Sequence, residues 1–159
     1  SNELASLTRR DADIAVRATR RPPQHLVGKH IGPIRVGLYA GRASGITYAD
    51  VEAGRTPWVA VDDAIPDHPS VGWRKRHFPK VMPTYFVNSL QIAAEMVGMG
   101  MGVGILPVVM AQTRSDLVAL RDLQDANQSE LWLLTHPESR HLRRIAVVYG
   151  HLAQVLRLP

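Results

Sequence analysis

The residues most able to do chemistry in this 159-residue chain are seven histidines, an adjacent pair of aspartates, a glycine run and one strand-to-helix junction. His25, His30, His68, His77, His136, His141 and His151 form neither H-E-x-x-H nor another spacing that gathers metal ligands on one face. They are expected at the surface or in loops, and no metal or cofactor is predicted. Asp62 and Asp63 cannot share a proton along a strand, because successive residues point to opposite faces. No G-x-S-x-G surrounds Ser44, Ser70, Ser89 or Ser139, so the sequence displays no activated nucleophile. In "MVGMGMGVGILP" the glycines at 98, 100, 102 and 104 alternate strictly, and the order is helix, glycines, strand. A phosphate cradle needs the opposite order, with backbone N–H groups at the start of a helix. A helix end turning into a buried strand is the reading left, its glycines admitting close backbone approach.

The strand-to-helix junction is "TYFVNSLQIAAEM", where the chain passes through Asn88 and Ser89. A helix start offers unbonded N–H groups, the positive end of the dipole and here a hydroxyl, which together suit a carboxylate. The same residues would serve equally as a plain N-cap, with Asn88-x-x-Gln91 as a capping pair.

Composition bounds what these residues can serve. A 45% hydrophobic content can fill the core of one ordinary domain or of a two-lobed one. Cysteine is absent, which removes disulfides and thiolate metal sites. The first residues carry charges where a signal peptide needs an apolar core, so the expected compartment is the cytoplasm. The apolar stretch 96–111 falls short of the roughly 20 residues that span a bilayer, and four glycines and a proline interrupt it. The net charge of +5 is spread over short clusters, Arg9-Arg10, Arg20-Arg21, Arg74-Lys75-Arg76 and Arg143-Arg144. None is interleaved with aromatics as in single-strand or RNA binders, and each reads as a solvated face.

The elements that must position these residues alternate. A brief helix is predicted to end near Arg9, followed by a buried strand in "ADIAVR" and the proline-broken loop "RATRRPPQ". Two extended segments divided at Gly32-Pro33 come next, then a short helix over 47–53 closed by Gly54. Strands are predicted at "PWVAVDD", "MPTYFVN", "VGILP", "DLVAL" and "ELWLLTH", and a helical turn or two at 71–77. One helix should run from Ser89 to Gly98 or Gly100, with Pro107 opening another short one. The last helix starts about Ser139 and carries a stripe of Leu142, Ile145, Tyr149, Leu152 and Leu156 that must pack on something. The alternation argues an α/β protein with a mainly parallel sheet.

Three stretches then fall into a pattern: "SNELASLTRRDADIAVRATRRPPQHLVGKHIGPIRVGLYA", "VNSLQIAAEMVGMGMGVGILPVVMA" and "LWLLTHPESRHLRRIAVVYGHLAQVL". Together they resemble the C-terminal effector-binding domain of LysR-type transcriptional regulators, over nearly the whole chain. "DADIAVR" and "GMGVGILP" are the most specific pieces. The resemblance implies an α/β fold like the type 2 periplasmic binding proteins, two lobes joined by crossing strands with a small ligand in the cleft. The crossings would lie near Tyr39-Ala40 and Leu134-Thr135. Lobe one would then be 1–40 with 135–159, and lobe two 41–134. The family's domain begins with a strand, a helix and a second strand before the part matching Ser1, so lobe one is expected to be N-terminally incomplete. The DNA-binding helix-turn-helix would likewise lie outside this chain.

The function the resemblance implies is effector sensing, not catalysis. A small anionic or polar metabolite would meet the Asn88-Ser89 helix start, the segment Arg17-Ala18-Thr19, and the backbone at Ile105-Leu106-Pro107, with Arg17 pairing a carboxylate bidentately. Binding would shift the lobe angle and so move the attached DNA-binding domains. The resemblance also implies a homo-oligomer, dimer or tetramer, with the helix 89–99 and the strand 103–106 near a side-by-side interface. DNA would be met only through the domain outside this chain, and no membrane is expected. The alternatives are a transporter's solute-binding protein of the same fold, or an enzyme on that fold with an acid or base in the cleft.

Overall fold

A computed structural model describes residues 13–126 and 129–159, and these divide into two compact units. The helix expected to end near Arg9 lies outside the described residues. One unit holds residues 35–126. The other holds residues 13–34 and 129–159.

The second unit is built on three strands, β1 (Ile14–Ala18), β2 (Val27–Ile34) and β8 (Ser129–Thr135), in the order β1-β8-β2. Both pairings are antiparallel. β1 forms from "IAVRA" as its β-branched residues suggest, but it is half-buried, not buried, and Val16 is 44% exposed. Gly32-Pro33 does not divide two strands. β2 continues through it by a bulge between His30 and Gly32, where Gly32 adopts a φ of 153°. As an edge strand β2 accommodates the proline, whose missing N–H is no loss there. One face of the sheet is covered by α5 (Arg143–Val155), which is tied down by Lys29 Nζ donating to the Ala153 carbonyl at 2.8 Å. Of the predicted stripe, Ile145 is buried and Tyr149, Leu152 and Leu156 are partly so, whereas Leu142 is the exposed N-cap. The helix starts later than expected because residues 136–139 form a turn, with Ser139 N–H and Arg140 N–H both donating to the His136 carbonyl. Leu26 and Leu134, with Ala15 and Trp132, make a small separate core.

The first unit is larger. β3 (Val36–Gly41) is buried along its whole length and pairs antiparallel on both sides, with β6 (Gly104–Pro107) and β7 (Leu117–Asp122). β4 (Val59–Ala60) and β5 (Tyr85–Phe86) form a parallel pair, attached through a Trp58–Val103 bridge to the strand that becomes β6. The expectation of a mainly parallel sheet is therefore corrected. The principal pairs join strands far apart in sequence that run in opposite directions, and among the described residues parallel pairing is confined to β4 with β5, which a crossover helix links, and to the Trp58–Val103 bridge. The helices are α1 (Tyr48–Glu52), α2 (Pro69–His77), α3 (Leu90–Gly98) and α4 (Val108–Ala111). α1 has the reciprocal cap that Thr47 and Asp50 allow, and it ends before Gly54 at φ 71°. Two cores flank the sheet, one around Leu38, Trp58 and Trp73, the other around Tyr39, Val97 and Leu106.

The glycine run resolves into a helix stop and a strand start. After α3, Gly100 sits at φ 81°, its N–H donating to the Val97 carbonyl while Met101 N–H donates to the Met96 carbonyl. Those are the five-to-two and six-to-one bonds of a Schellman cap. Gly102 serves close approach, since a Cβ there would stand 2.6 Å from the Pro57 carbonyl oxygen. Pro107 is the last residue of β6 and the N-cap of α4, one position before the first helical place expected for it.

The compact units divide between Ile34 and Arg35 and between Gln128 and Ser129, earlier in the chain than the crossings expected at Tyr39-Ala40 and Leu134-Thr135. Tyr39 and Ala40 are buried in β3, and Leu134 and Thr135 are buried in β8.

Two glycines test these packing statements in opposite directions. Gly102→Ala must push against backbone and should cost on the order of 2 kcal/mol. Gly150 lies exposed in α5, where an added methyl would meet nothing within 4 Å, and its replacement by alanine should gain up to about 1 kcal/mol. Urea midpoints at unchanged slope measure both.

Candidate functional site

The junction at Asn88 and Ser89 follows directly from the parallel pair. β4 and β5 run side by side, with Val59 opposite Tyr85 and Ala60 opposite Phe86, and Val87 N–H donates to the Ala60 carbonyl. Beyond β5 the chain turns into α3. Ser89 is the N-cap, its Oγ accepting from Ile92 N–H at 3.1 Å. The N-cap is thus Ser89 and not Asn88, the residue the expected capping pair with Gln91 would begin from. Asn88 lies outside the helix and is exposed, and Gln91 donates to Glu95 one turn on. Ile105, Leu106 and Pro107 are buried in β6, and their pairing with Leu38, Gly37 and Val36 occupies the edge toward β3. α3 and β6 share one core through Ala93, Ala94 and Leu106.

In the other unit, Arg17 and Ala18 end β1, opposite Trp132 and Leu131 of β8. Thr19 N–H donates to the Glu130 carbonyl at 2.8 Å, and its Oγ accepts from Arg21 N–H. Arg17 is half-buried, and its guanidinium has no hydrogen-bond partner among the described residues. On the far side of Trp132 stands His30, ring centroids 4.9 Å apart, bonded to Glu130 at 2.7 Å. The Trp132 indole N–H is buried with no partner among the described residues.

One charged pair is invisible in the sequence. Arg74, expected with Lys75 and Arg76 on a solvated face, is 5% exposed in α2. Its two terminal nitrogens donate to the two oxygens of Asp62 at 2.7 and 2.6 Å. Those bonds hold the Asp62 carboxyl below its ordinary range against the opposing effect of burial. Arg74 Nε is buried without a partner among the described residues, and Arg74 lines, with Ser70, Val61 and Ala93, a cavity of about 10 Å³. Nothing in the spacing of residues 62 and 74 signals this contact, because it depends on how α2 packs over β4. A larger, open cavity of about 360 Å³ lies between β2 and the segment after α5, beside Lys29, Gly32 and Leu158, and none of the predicted site residues lines it.

The histidines divide. His136 lies in the turn after β8, as a loop histidine, but it is 7% exposed and its Nε2 is buried without a partner among the described residues. His68 caps α2: its Nδ1 accepts from Ser70 N–H at 3.2 Å and contacts Ser70 Oγ at 2.7 Å. Burial pushes its pKa down to about 4, so it stays neutral and keeps the lone pair that the cap needs. Pro69 at the first helical position was the available signal for this helix start. Among the described residues no cluster of His, Asp or Glu could hold a metal ion, and no helix is long and apolar enough to cross a membrane.

Comparison with known proteins gives these elements a family. The model of the LysR substrate binding domain matches residues 1–157. The chain belongs to that family, the effector-binding domains of LysR-type transcriptional regulators. Its fold is that of solved regulatory domains. The domain of CrgA, a LysR-type transcriptional regulator from Neisseria meningitidis, superposes with a TM-score of 0.71 at 14% identity, over 97% of this chain and 80% of that one. For the effector domain of AmpR of Pseudomonas aeruginosa the values are 0.67, 12%, 94% and 73%. The regulatory domain of AphB in Vibrio vulnificus gives 0.62, 16%, 98% and 80%. A comparison with curated proteins finds no match.

Two measurements probe the charged and titrating groups. Asp62→Asn or Arg74→Met alone strands a buried partner and should cost about 3–5 kcal/mol, while replacing both by apolar residues should cost far less. A double-mutant cycle in urea reads the difference. For His68, the unfolded chain takes up a proton near pH 6.5 and the folded chain only near 4. Stability is therefore full above about pH 6.5 and declines as pH falls toward 4, by on the order of 3 kcal/mol. In His68→Asn, which keeps a capping side chain, that decline should flatten.

Proposed function

We propose that this domain senses a small, anionic metabolite and thereby controls DNA binding and transcription by the regulator it belongs to. The effector would occupy the cleft that the family fold implies, and the residues proposed to meet it are Arg17, Ala18, Thr19, Asn88, Ser89, Ile105, Leu106 and Pro107. Arg17 pairs the carboxylate, and the start of α3 contributes N–H groups and the positive end of its dipole. The observation that carries the reading is the position of Ser89. It caps a nine-residue helix immediately beyond the carboxyl end of a parallel strand pair. In α/β proteins such strand ends are where ligands bind.

A ligand with different affinity for two arrangements of the domain shifts their populations, and only that difference can drive a response. The domain performs no reaction in this scheme. It acts in the cytoplasm as part of a homo-oligomer, and DNA is contacted by a separate domain of the regulator.

The test is a calorimetric and thermal-shift screen of small mono- and dicarboxylates. A member of the panel should raise the melting temperature, and Arg17→Met and Ser89→Ala should each weaken its binding roughly tenfold. Should no carboxylate bind, or should binding ignore both substitutions, the reading fails.

A further inference from the structure

The strands that lead to Ser89 also deliver a second polar group to the same edge. β4 and β5 are in register as parallel neighbours, and adjacent strands lie about 4.8 Å apart. Past Ala60 the chain turns at Val61, whose carbonyl accepts from Ala64 and Ile65 N–H groups, and Asp62 sits in that turn. Past Phe86 the neighbouring chain turns through Asn88 and Ser89. The Asp62 turn and the α3 start are thus side by side at the carboxyl ends of paired strands, both within one compact unit.

Asp62 is fixed in place there. Both its oxygens are held by Arg74, and its side chain retains 14% exposure. An ionised carboxylate has about four acceptor positions, so the two Arg74 donors leave acceptor capacity unused. Arg74 itself is not the contact. Its Nε is buried without a partner among the described residues, and the cavity of about 10 Å³ that Arg74 lines admits nothing larger than about one water. The pair carries no net charge, so it does not repel an anion bound at the helix start. What it presents to that anion's neighbouring atoms is one fixed acceptor.

We propose that Asp62, positioned by Arg74, is a specificity-determining residue that reads a hydrogen-bond donor beside the effector's carboxylate, so that the domain selects amino or hydroxy acids over plain carboxylic acids. The proposal rests on the reading of the α3 start as a carboxylate site and adds to it a second contact. The donor class follows from the acceptor: an amine or hydroxyl satisfies the unused position, whereas a C–H in its place leaves a partly buried carboxylate short of a partner.

The experiment compares acids that share a skeleton and differ only at the second carbon. Binding of propionate, lactate and alanine, and of 3-phenylpropionate, 3-phenyllactate and phenylalanine, is measured by calorimetry on the wild-type domain and on Asp62→Asn. The amino or hydroxy member of a set should bind about tenfold or more tightly than the plain acid, and Asp62→Asn should erase that preference. Equal affinities within each set, or a preference that survives Asp62→Asn, overturn the role of Asp62 while leaving the carboxylate site standing. Absence of binding by every member overturns both. Since Asp62→Asn disturbs a buried pair, carboxyl-carbon NMR of the wild-type protein provides an independent reading. The Asp62 resonance should move on addition of the amino or hydroxy acid and stay still with the plain acid, and an unmoved resonance at saturation counts against the proposal.

Discussion

The larger unit depends on one strand. β3 is buried at every residue from Val36 to Gly41, so each of its polar backbone groups must find a partner inside the protein. It does so by pairing on both edges, with β6 and with β7, and this double pairing fixes where the other elements go. The α3 helix closes over the same strand. At Gly41 a Cβ would stand 2.6 Å from the Val97 carbonyl oxygen, so the absence of a side chain lets the last turn of α3 approach the end of β3. With α3 anchored at its C-terminal end by that contact and by the Schellman cap, its N-terminal end is held at a set place beyond β5. The start of α3 is thereby positioned by packing at the opposite end of the helix.

The Asp62–Arg74 pair is the second constraint, and it is of a different kind. Burying two charges costs several kcal/mol per ion before any attraction is counted, and a bidentate geometry recovers that only when both nitrogens and both oxygens are matched. Here they are matched, at 2.7 and 2.6 Å. Its weakness as a stabilising device is that an apolar pair of similar volume would serve as well. Its strength is directional, because the two bonds hold Arg74 of α2 against the Asp62 turn. Trp73 adds to the same definition from the adjacent position, buried at 1% exposure with its indole N–H donating to Asp125 at 2.8 Å. α2 is consequently located by two polar contacts and one large ring, with little help from an amphipathic pattern.

Much of this is legible in the sequence where the cause is local. Thr47 with Asp50, Gly54, Pro69 and Gly100 announce helix ends through cap chemistry that acts over three or four residues. The stripe on α5 announces its buried side, and "DADIAVR" with "GMGVGILP" announces the family that the match over residues 1–157 then shows. The rest depends on partners distant in the chain. Strand direction is not legible, because pairing of β3 with β7, or of β2 with β8, leaves no trace in either strand alone. The burial of Arg74 and His136 is hidden for the same reason, since neither residue type nor neighbours distinguish a buried cation or imidazole from a solvated one. Half-burial of β1 is hidden too, because a run of Ile, Ala and Val reads the same whether one face is covered or two.

The two readings the sequence leaves at Asn88-Ser89, cap or ligand site, do not exclude each other once donors and acceptors are counted. A serine hydroxyl has acceptor lone pairs and a separate proton to donate. Ser89 Oγ uses an acceptor position on Ile92 N–H, which is all that the cap requires. Its proton is not consumed by that bond, nor are the other N–H groups of the first turn, whose carbonyl partners would lie outside the helix. Capping therefore places the hydroxyl at the helix mouth with its donor side available, and a carboxylate arriving there needs only donors. The two roles draw on opposite halves of the same group. A plain cap and an anion site can be the same serine, and what separates them is whether the elements around it bring further polar groups to that mouth, as proposed for Asp62.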